Sequence, residues 1–107
     1  MLDELLILKK IKGGDIKAFE ELFRRYYFPL CCYAAGITGQ MEVAEEIVEE
    51  LFYVLWKERE RLQIFQSVKS YLYRATRNQS LQYCEHEEVR NLSLIHISEP
   101  TRLRRIS

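Results

Sequence analysis

Residues 44–52 decide the fold, and they read Ala44-Glu45-Glu46-Ile47-Val48-Glu49-Glu50-Leu51-Phe52. Apolar residues recur here at steps of three and four, which places them on one face of a helix. These apolar residues are Ala44, Ile47, Val48, Leu51 and Leu55. Acidic residues crowd the other side, and they are Glu45, Glu46, Glu49 and Glu50. The pattern predicts an amphipathic helix that buries one face and offers carboxylates on the other.

A second stretch mixes rings with cations and reads Tyr71-Leu72-Tyr73-Arg74-Ala75-Thr76-Arg77-Asn78. Rings can stack on bases and arginines can neutralise phosphates, so this mixture is typical of a surface for single-stranded nucleic acid. Tyr71, Arg74 and Asn78 lie at steps of three and four and share a helix face, with Arg77 beside it. The inward side is predicted to hold Val68, Leu72 and Ala75. One helix offers carboxylates and the next offers cations and rings, which predicts two different partners.

The whole chain of 107 residues is short enough for one small domain. Strand-type alternation is absent, so we predict an all-α fold, a compact bundle of about four helices. The predicted helices span residues 3–12, 16–35, 40–60 and 67–86, with a glycine turn over residues 36–39. Asp15 and Ser67 are expected to cap the second and fourth helices, and Pro29 is expected to kink the second helix without ending it.

Several function classes are disfavoured by composition. The net charge is zero, so any contact with nucleic acid must come from a local basic patch. No phosphate loop, catalytic triad or metal-ligand spacing is present, so we expect neither an enzyme nor a metal or other cofactor. No apolar run is long enough to span a membrane, and three cysteines without pairing signals indicate reduced thiols, so a cytoplasmic protein is expected.

The end of the chain differs from the rest. Residues 92–107 show no apolar period that continues from the fourth predicted helix, and they resemble the translation of a sequencing adapter read in frame. We therefore expect residues 1–91 to form the domain and residues 92–107 to be a non-native, unstructured tail on a truncated chain.

Three motifs in order carry a family resemblance over residues 15–86. They are residues 19–27, residues 44–56 and residues 71–78, and together they resemble region 2 of bacterial sigma factors of the sigma-70 family. Within that family the chain most resembles the extracytoplasmic-function (ECF) group. The resemblance implies a helical domain that binds core RNA polymerase and recognises and melts the promoter minus-ten element.

The resemblance also implies which residues would act. The polymerase contact would be made with the clamp helices of the largest subunit, by Glu46, Glu49, Glu50 and Tyr53. The non-template strand of promoter DNA, including a flipped base, would be held by Phe65, Ser67, Tyr71, Arg74, Arg77 and Asn78. An anti-sigma factor is a further implied partner. The chain departs from the family at Glu49, where Gln is usual. It departs again at Gln82, Glu85 and Glu87, where many relatives carry Asp and then basic residues. The family's helix-turn-helix domain for the minus-thirty-five element is absent from this chain.

The alternative hypothesis is a helical protein–protein interaction module with no DNA role. Such a module would use the acidic face alone and would not need the Tyr and Arg face of residues 71–78. An enzyme would need a pocket in which titratable groups converge.

Overall fold

The computed structural model describes residues 4–63 and 67–98, with side chains described for residues 4–63 and 67–88. Four α-helices and one short 3-10 helix account for almost all of these residues. The elements are α1 (Glu4–Lys12), α2 (Ile16–Thr38), α3 (Met41–Lys57), the 3-10 helix (Arg59–Arg61) and α4 (Val68–Ser98). The described residues contain no strand, so the predicted all-α bundle of about four helices is confirmed.

Local capping explains where two of the helices begin. The Asp15 carboxylate accepts hydrogen bonds from the backbone amides of Lys17 and Ala18, at 3.0 and 3.2 Å. The Ser67 hydroxyl oxygen accepts one from the amide of Ser70 at 3.1 Å. Each bond satisfies an amide that has no partner within its own helix. Both predicted caps are therefore confirmed.

The turn between α2 and α3 is shorter than predicted. α2 runs through Pro29, as expected, and also through Gly36, and it ends only at Thr38. Within residues 36–39, Gly39 is the one residue in the left-handed conformation, with φ of 80°. Its amide donates to the carbonyl oxygen of Ala35 at 2.8 Å. The prediction of a turn beginning at Gly36 was wrong because glycine lowers helix stability only modestly and a packed helix tolerates it.

The core lies where α2 packs against α3 and α4. Its buried residues come from all four helices and the segment after the 3-10 helix; they include Ile7, Ile11, Leu22, Leu30, Cys31, Val48, Phe52, Leu55, Leu62, Val68 and Leu72. Aromatic rings line the α2–α3 contact, where Phe23 lies 5.0 Å from Phe52 and Phe19 lies 5.0 Å from Trp56, centroid to centroid. The predicted apolar face of α3 is confirmed by the burial of Ala44, Val48, Phe52 and Leu55.

The buried stripe of α4 follows steps of four residues, and it contains two hydroxyls. Val68 and Leu72 are buried as predicted, whereas Ala75 is only half-buried. Thr76 and Ser80 continue the stripe with no exposed surface, although neither was expected in the core. Their residue types are usually solvent-exposed, which is why the pattern did not reveal them.

α4 continues to Ser98, past its predicted end near residue 86 and across the predicted domain boundary at residue 91. Between residue 86 and Pro100 the chain contains neither glycine nor proline, so nothing in its backbone chemistry stops the helix earlier. Residues 92–98 lie within the bounds of α4, and the expectation of an unstructured tail over residues 92–107 stays a prediction. Residues 99–107 lie outside the described residues, and the assignment of residues 92–107 as a non-native segment stays a prediction.

Candidate polymerase and nucleic-acid surfaces

The outward side of α3 presents the predicted acidic residues together. Glu46, Glu49, Glu50 and Tyr53 are all exposed, and we call these four residues the α3 surface. Glu46, Glu50 and Tyr53 follow steps of four and three and form its outer ridge. Within the described part of the chain, none of the three carboxylates forms an ion pair. The α3 surface therefore carries uncompensated negative charge.

Tyr53 supplies an aromatic ring to this surface. Its side chain is 58% exposed, and the neighbouring Val54 is 42% exposed. The Lys57 ammonium lies 5.8 Å from the centre of the Tyr53 ring, at the edge of cation–π range. Aromatic residues are enriched at the centres of protein–protein contacts, whereas carboxylates are more typical of the polar rim, so Tyr53 is the residue of this surface that would lie nearest the centre of a contact.

Glu49 differs from the outer ridge because it is bonded to α2. Its Oε2 accepts a hydrogen bond from the Tyr27 hydroxyl at 2.9 Å. Burial, and after it the hydrogen bond to Glu49, raises the pKa of Tyr27. The hydroxyl therefore keeps its proton at neutral pH and remains a donor. Tyr27 lies 22 positions before Glu49 in the sequence, and no residue spacing links the two.

The outward side of α4 presents the predicted cationic and polar residues. Arg74, Arg77 and Asn78 are exposed, and Ser67 is exposed immediately before the first turn of the helix. Tyr71 is half-buried and packs against the core, so only part of its ring is free for a ligand. We call Ser67, Tyr71, Arg74, Arg77 and Asn78 the α4 surface. Phe65 lies outside the described residues.

Tyr73, the second tyrosine of the motif, has a structural partner. Its ring meets Tyr33 of α2 edge-on, with the centroids 5.1 Å apart. Tyr73 and the buried stripe of α4 both face α2 and the core. The arginines are thereby turned outward.

The segment between the 3-10 helix and α4 is tied to α1. The Lys12 ammonium donates to the carbonyl oxygen of Leu62 at 2.8 Å, and the Leu62 side chain is buried. Just before it, the Arg59 guanidinium lies 4.2 Å from the centre of the Trp56 ring. These contacts hold the chain that leads into the α4 surface. Residue spacing gave no signal for the bond between Lys12 and Leu62, which lie 50 positions apart.

Two further findings concern the described residues as a whole. They contain no group of three or more His, Cys, Asp and Glu side chains that could hold a metal ion. None of their helices is long and apolar enough to cross a membrane.

Comparison with known proteins gives one match. A family model for Sigma-70 region 2 matches residues 22–88, which contain α3, α4 up to residue 88 and most of α2. No curated protein and no solved structure matched the chain. Region 2 domains bind core RNA polymerase, contact promoter DNA and take part in promoter melting, and they are not enzymes. Since the matched segment covers more than half of the 107 residues, the chain belongs to the sigma-70 region 2 family.

Proposed function

We propose that this domain binds core RNA polymerase through the α3 surface and recognises the promoter minus-ten element through the α4 surface. The observation that carries the proposal is the presence of two exposed surfaces of opposite chemistry inside the segment that the family model matches. The partner of the α3 surface would be the clamp helices of the largest polymerase subunit. The partner of the α4 surface would be the non-template strand.

Charge and shape both favour a protein partner for the α3 surface. Glu46 and Glu50 are exposed and lack ion pairs within the described residues, so they can attract a basic partner over a distance. Tyr53 stands next to them and can fill a pocket on that partner, as exposed rings do at the centre of interfaces.

The chemistry of the α4 surface favours an unpaired DNA strand. Arg74 and Arg77 can bind phosphates regardless of sequence. Asn78 can donate to and accept from a base edge, which lets it discriminate among bases. Tyr71 can offer the free part of its ring to a base, and Ser67 can contact the backbone at the start of α4. Phe65 completes the proposed set on the basis of the family resemblance.

The finer assignments follow from the same resemblance. On the resemblance of its motifs over residues 15–86, we place the chain in the ECF group. As part of that assignment, we propose a cytoplasmic location and regulation by an anti-sigma factor. An anti-sigma factor could act by covering the α3 surface, because the same carboxylates and ring would serve either partner.

The polymerase assignment is tested by reversing the charge of the outer ridge. The double variant Glu46→Lys and Glu50→Lys should weaken binding to core RNA polymerase by at least about tenfold, because like charges across an interface cost several kcal/mol. Both residues are exposed, so far-UV circular dichroism should show an unchanged helical content. Affinity would be measured by fluorescence anisotropy of the labelled domain.

A matched control reverses two exposed carboxylates outside α3. Glu20→Lys and Glu60→Lys make the same change in net charge, and the affinity for core polymerase should be retained. Equal weakening by both double variants would show that only total charge matters, and the α3 surface would then not be the binding site. If the Glu46→Lys, Glu50→Lys variant binds core polymerase normally and promoter opening does not depend on α4, the proposed roles of both surfaces would be wrong, and a protein-interaction role without DNA would replace them.

A further inference from the structure

The hydrogen bond between Tyr27 and Glu49 joins the core of the bundle to the edge of the α3 surface. It is the one described contact that a residue of the α3 surface accepts from another helix. Glu46 and Glu50 lie on the same helix and have no such partner among the described residues. A long glutamate side chain on an exposed helix face ordinarily samples several rotamers. The hydrogen bond from Tyr27 favours one orientation of the Glu49 carboxylate.

The Tyr27 ring is itself held in place by packing. It stacks on Phe23 with a centroid distance of 4.7 Å and an interplanar angle of 21°. Phe23 in turn meets the buried Phe52 of α3 edge-on at 5.0 Å. The hydroxyl that reaches Glu49 therefore projects from a ring anchored in the α2–α3 contact. The donor is positioned by the core and not by the exposed side chain that it binds.

The bond uses only one side of the carboxylate. Glu49 Oε2 accepts from Tyr27, while Oε1 has no partner among the described residues and the side chain as a whole is exposed. A carboxylate that is already oriented loses less side-chain freedom when a partner binds it. An oxygen acceptor is all that the Tyr27 hydroxyl requires, and an amide oxygen meets that requirement as well as a carboxylate does.

We propose that Tyr27 is a positioning residue for polymerase recognition, which holds Glu49 in the α3 surface as an oriented hydrogen-bond acceptor. The oxygen at position 49, and not its negative charge, supports binding. Tyr27 and Glu49 then act as one unit that extends the polymerase-binding surface from α3 onto α2. This inference rests on the proposed function of the α3 surface.

The test compares variants that separate charge from hydrogen bonding, using core RNA polymerase as the probe. Tyr27→Phe keeps the stacked ring and removes the donor, and Glu49→Ala removes the acceptor. Each should weaken binding by about three- to tenfold, the range expected for one lost hydrogen bond. The double variant should bind no more weakly than Glu49→Ala alone, because the two residues share one interaction. Glu49→Gln should retain more affinity than Glu49→Ala, because its amide oxygen can still accept the hydrogen bond from Tyr27.

Tyr26→Phe is the matched control. The Tyr26 hydroxyl donates to Glu4 Oε2 of α1 at 2.6 Å, so this variant also loses a Tyr–Glu bond between helices, but away from the α3 surface. Thermal unfolding of both Tyr→Phe variants would be compared, and only Tyr27→Phe should change the affinity for polymerase.

Two outcomes would overturn the inference while leaving the proposed function intact. One is normal affinity of Tyr27→Phe together with weak binding of Glu49→Ala. The other is Glu49→Gln binding as weakly as Glu49→Ala, which would assign the effect to charge. Failure of the unmodified chain to bind core polymerase would instead overturn the proposed function, and the inference with it.

Discussion

Gly36 and Gly39 lie three positions apart, but only Gly39 has a backbone conformation that favours glycine. Gly36 lies inside α2 with a helical backbone, and a Cβ atom built there would meet no other atom within 4 Å. Gly39 has a φ of 80°, a value that residues with a Cβ rarely adopt. The first glycine therefore weakens a helix that other packing maintains, and the second is required where the helix ends.

We expect Gly36→Ala to stabilise the protein by about 0.5–1 kcal/mol, because alanine restricts the unfolded chain and fits the helical backbone without strain. In a domain of this size, a gain of about 1 kcal/mol raises Tm by roughly 4–8 °C. The change would be measured by thermal unfolding followed with circular dichroism.

Gly39→Ala serves as the paired variant, and it should lower stability by roughly 1–2 kcal/mol, since a Cβ atom is disfavoured in the left-handed region. If Gly36→Ala were also destabilising, α2 would not be a continuous helix at that position in solution.

The helix α4 divides its circumference between a buried stripe and an exposed polar side. Val68, Leu72, Thr76 and Ser80 form the buried stripe, and Tyr73 contacts α2 on one flank. Arg74, Arg77 and Asn78 remain on the outward side. A rigid helix fixes the relative positions of these polar groups, so a DNA strand could contact several of them at once without reorganising the protein.

Residue spacing predicted that Arg74, Arg77 and Asn78 lie on the outward side of α4, and all three are exposed, whereas their role in binding DNA stays a prediction. It did not predict the buried side beyond Leu72. Thr76 and Ser80 are small enough to lie close to neighbouring helices, but a hydroxyl carries no sequence signal that separates such packing from exposure. Tyr27 presents the same difficulty, because its bond to Glu49 joins positions that only the packing of α2 on α3 brings together.

The proposed roles of Arg77 and Asn78 can be separated by measuring how DNA affinity depends on salt concentration. Arg77→Ala should weaken binding to all single-stranded minus-ten oligonucleotides alike. It should also lower the slope of log affinity against log salt by about 0.7, the value for one phosphate contact on a single strand. Asn78→Ala should reduce discrimination between bases, by about 1–3 kcal/mol, more than it reduces affinity. Binding would be measured with the domain assembled on core polymerase.

Arg24→Ala is the control for charge, because Arg24 is an exposed arginine of α2 outside the α4 surface. Its salt slope should match that of the unmodified protein. The combined variant Arg74→Ala, Arg77→Ala and Asn78→Ala should lose promoter opening. Opening at the normal rate by that variant would remove α4 from the DNA interface.

At the scale of the whole molecule, periodicity and capping predicted the fold class, the number of helices and the start of α4. The buried apolar positions of α3 recur with the helical repeat, so they could be assigned without a structure. The lengths of α2 and α4 were underestimated for different reasons: packing overrides the glycine at position 36, and α4 continues without a residue that ends it. Long-range pairs such as Lys12 with the Leu62 carbonyl depend on how the helices assemble, and local sequence does not encode them.

The C-terminal part of α4 contributes unequally to the stability of the bundle along its length, and truncation can measure how much. Among the residues of α4 whose side chains the structure describes, Ser80 is the last buried one. Hydrogen bonds beyond it include one from the Gln40 amide to the Tyr83 hydroxyl at 3.4 Å and one from the Cys84 thiol to the Ile37 carbonyl at 3.4 Å. We therefore expect deletion of residues 92–107 to leave Tm unchanged, whereas deletion of residues 83–107 should lower it. Each lost hydrogen bond contributes about 0.5–1.5 kcal/mol, so the longer deletion should have a measurable effect. Differential scanning calorimetry of the two truncated chains would decide the matter. A lower Tm after the shorter deletion would show that residues 92–107 pack against the helices and belong to the folded domain.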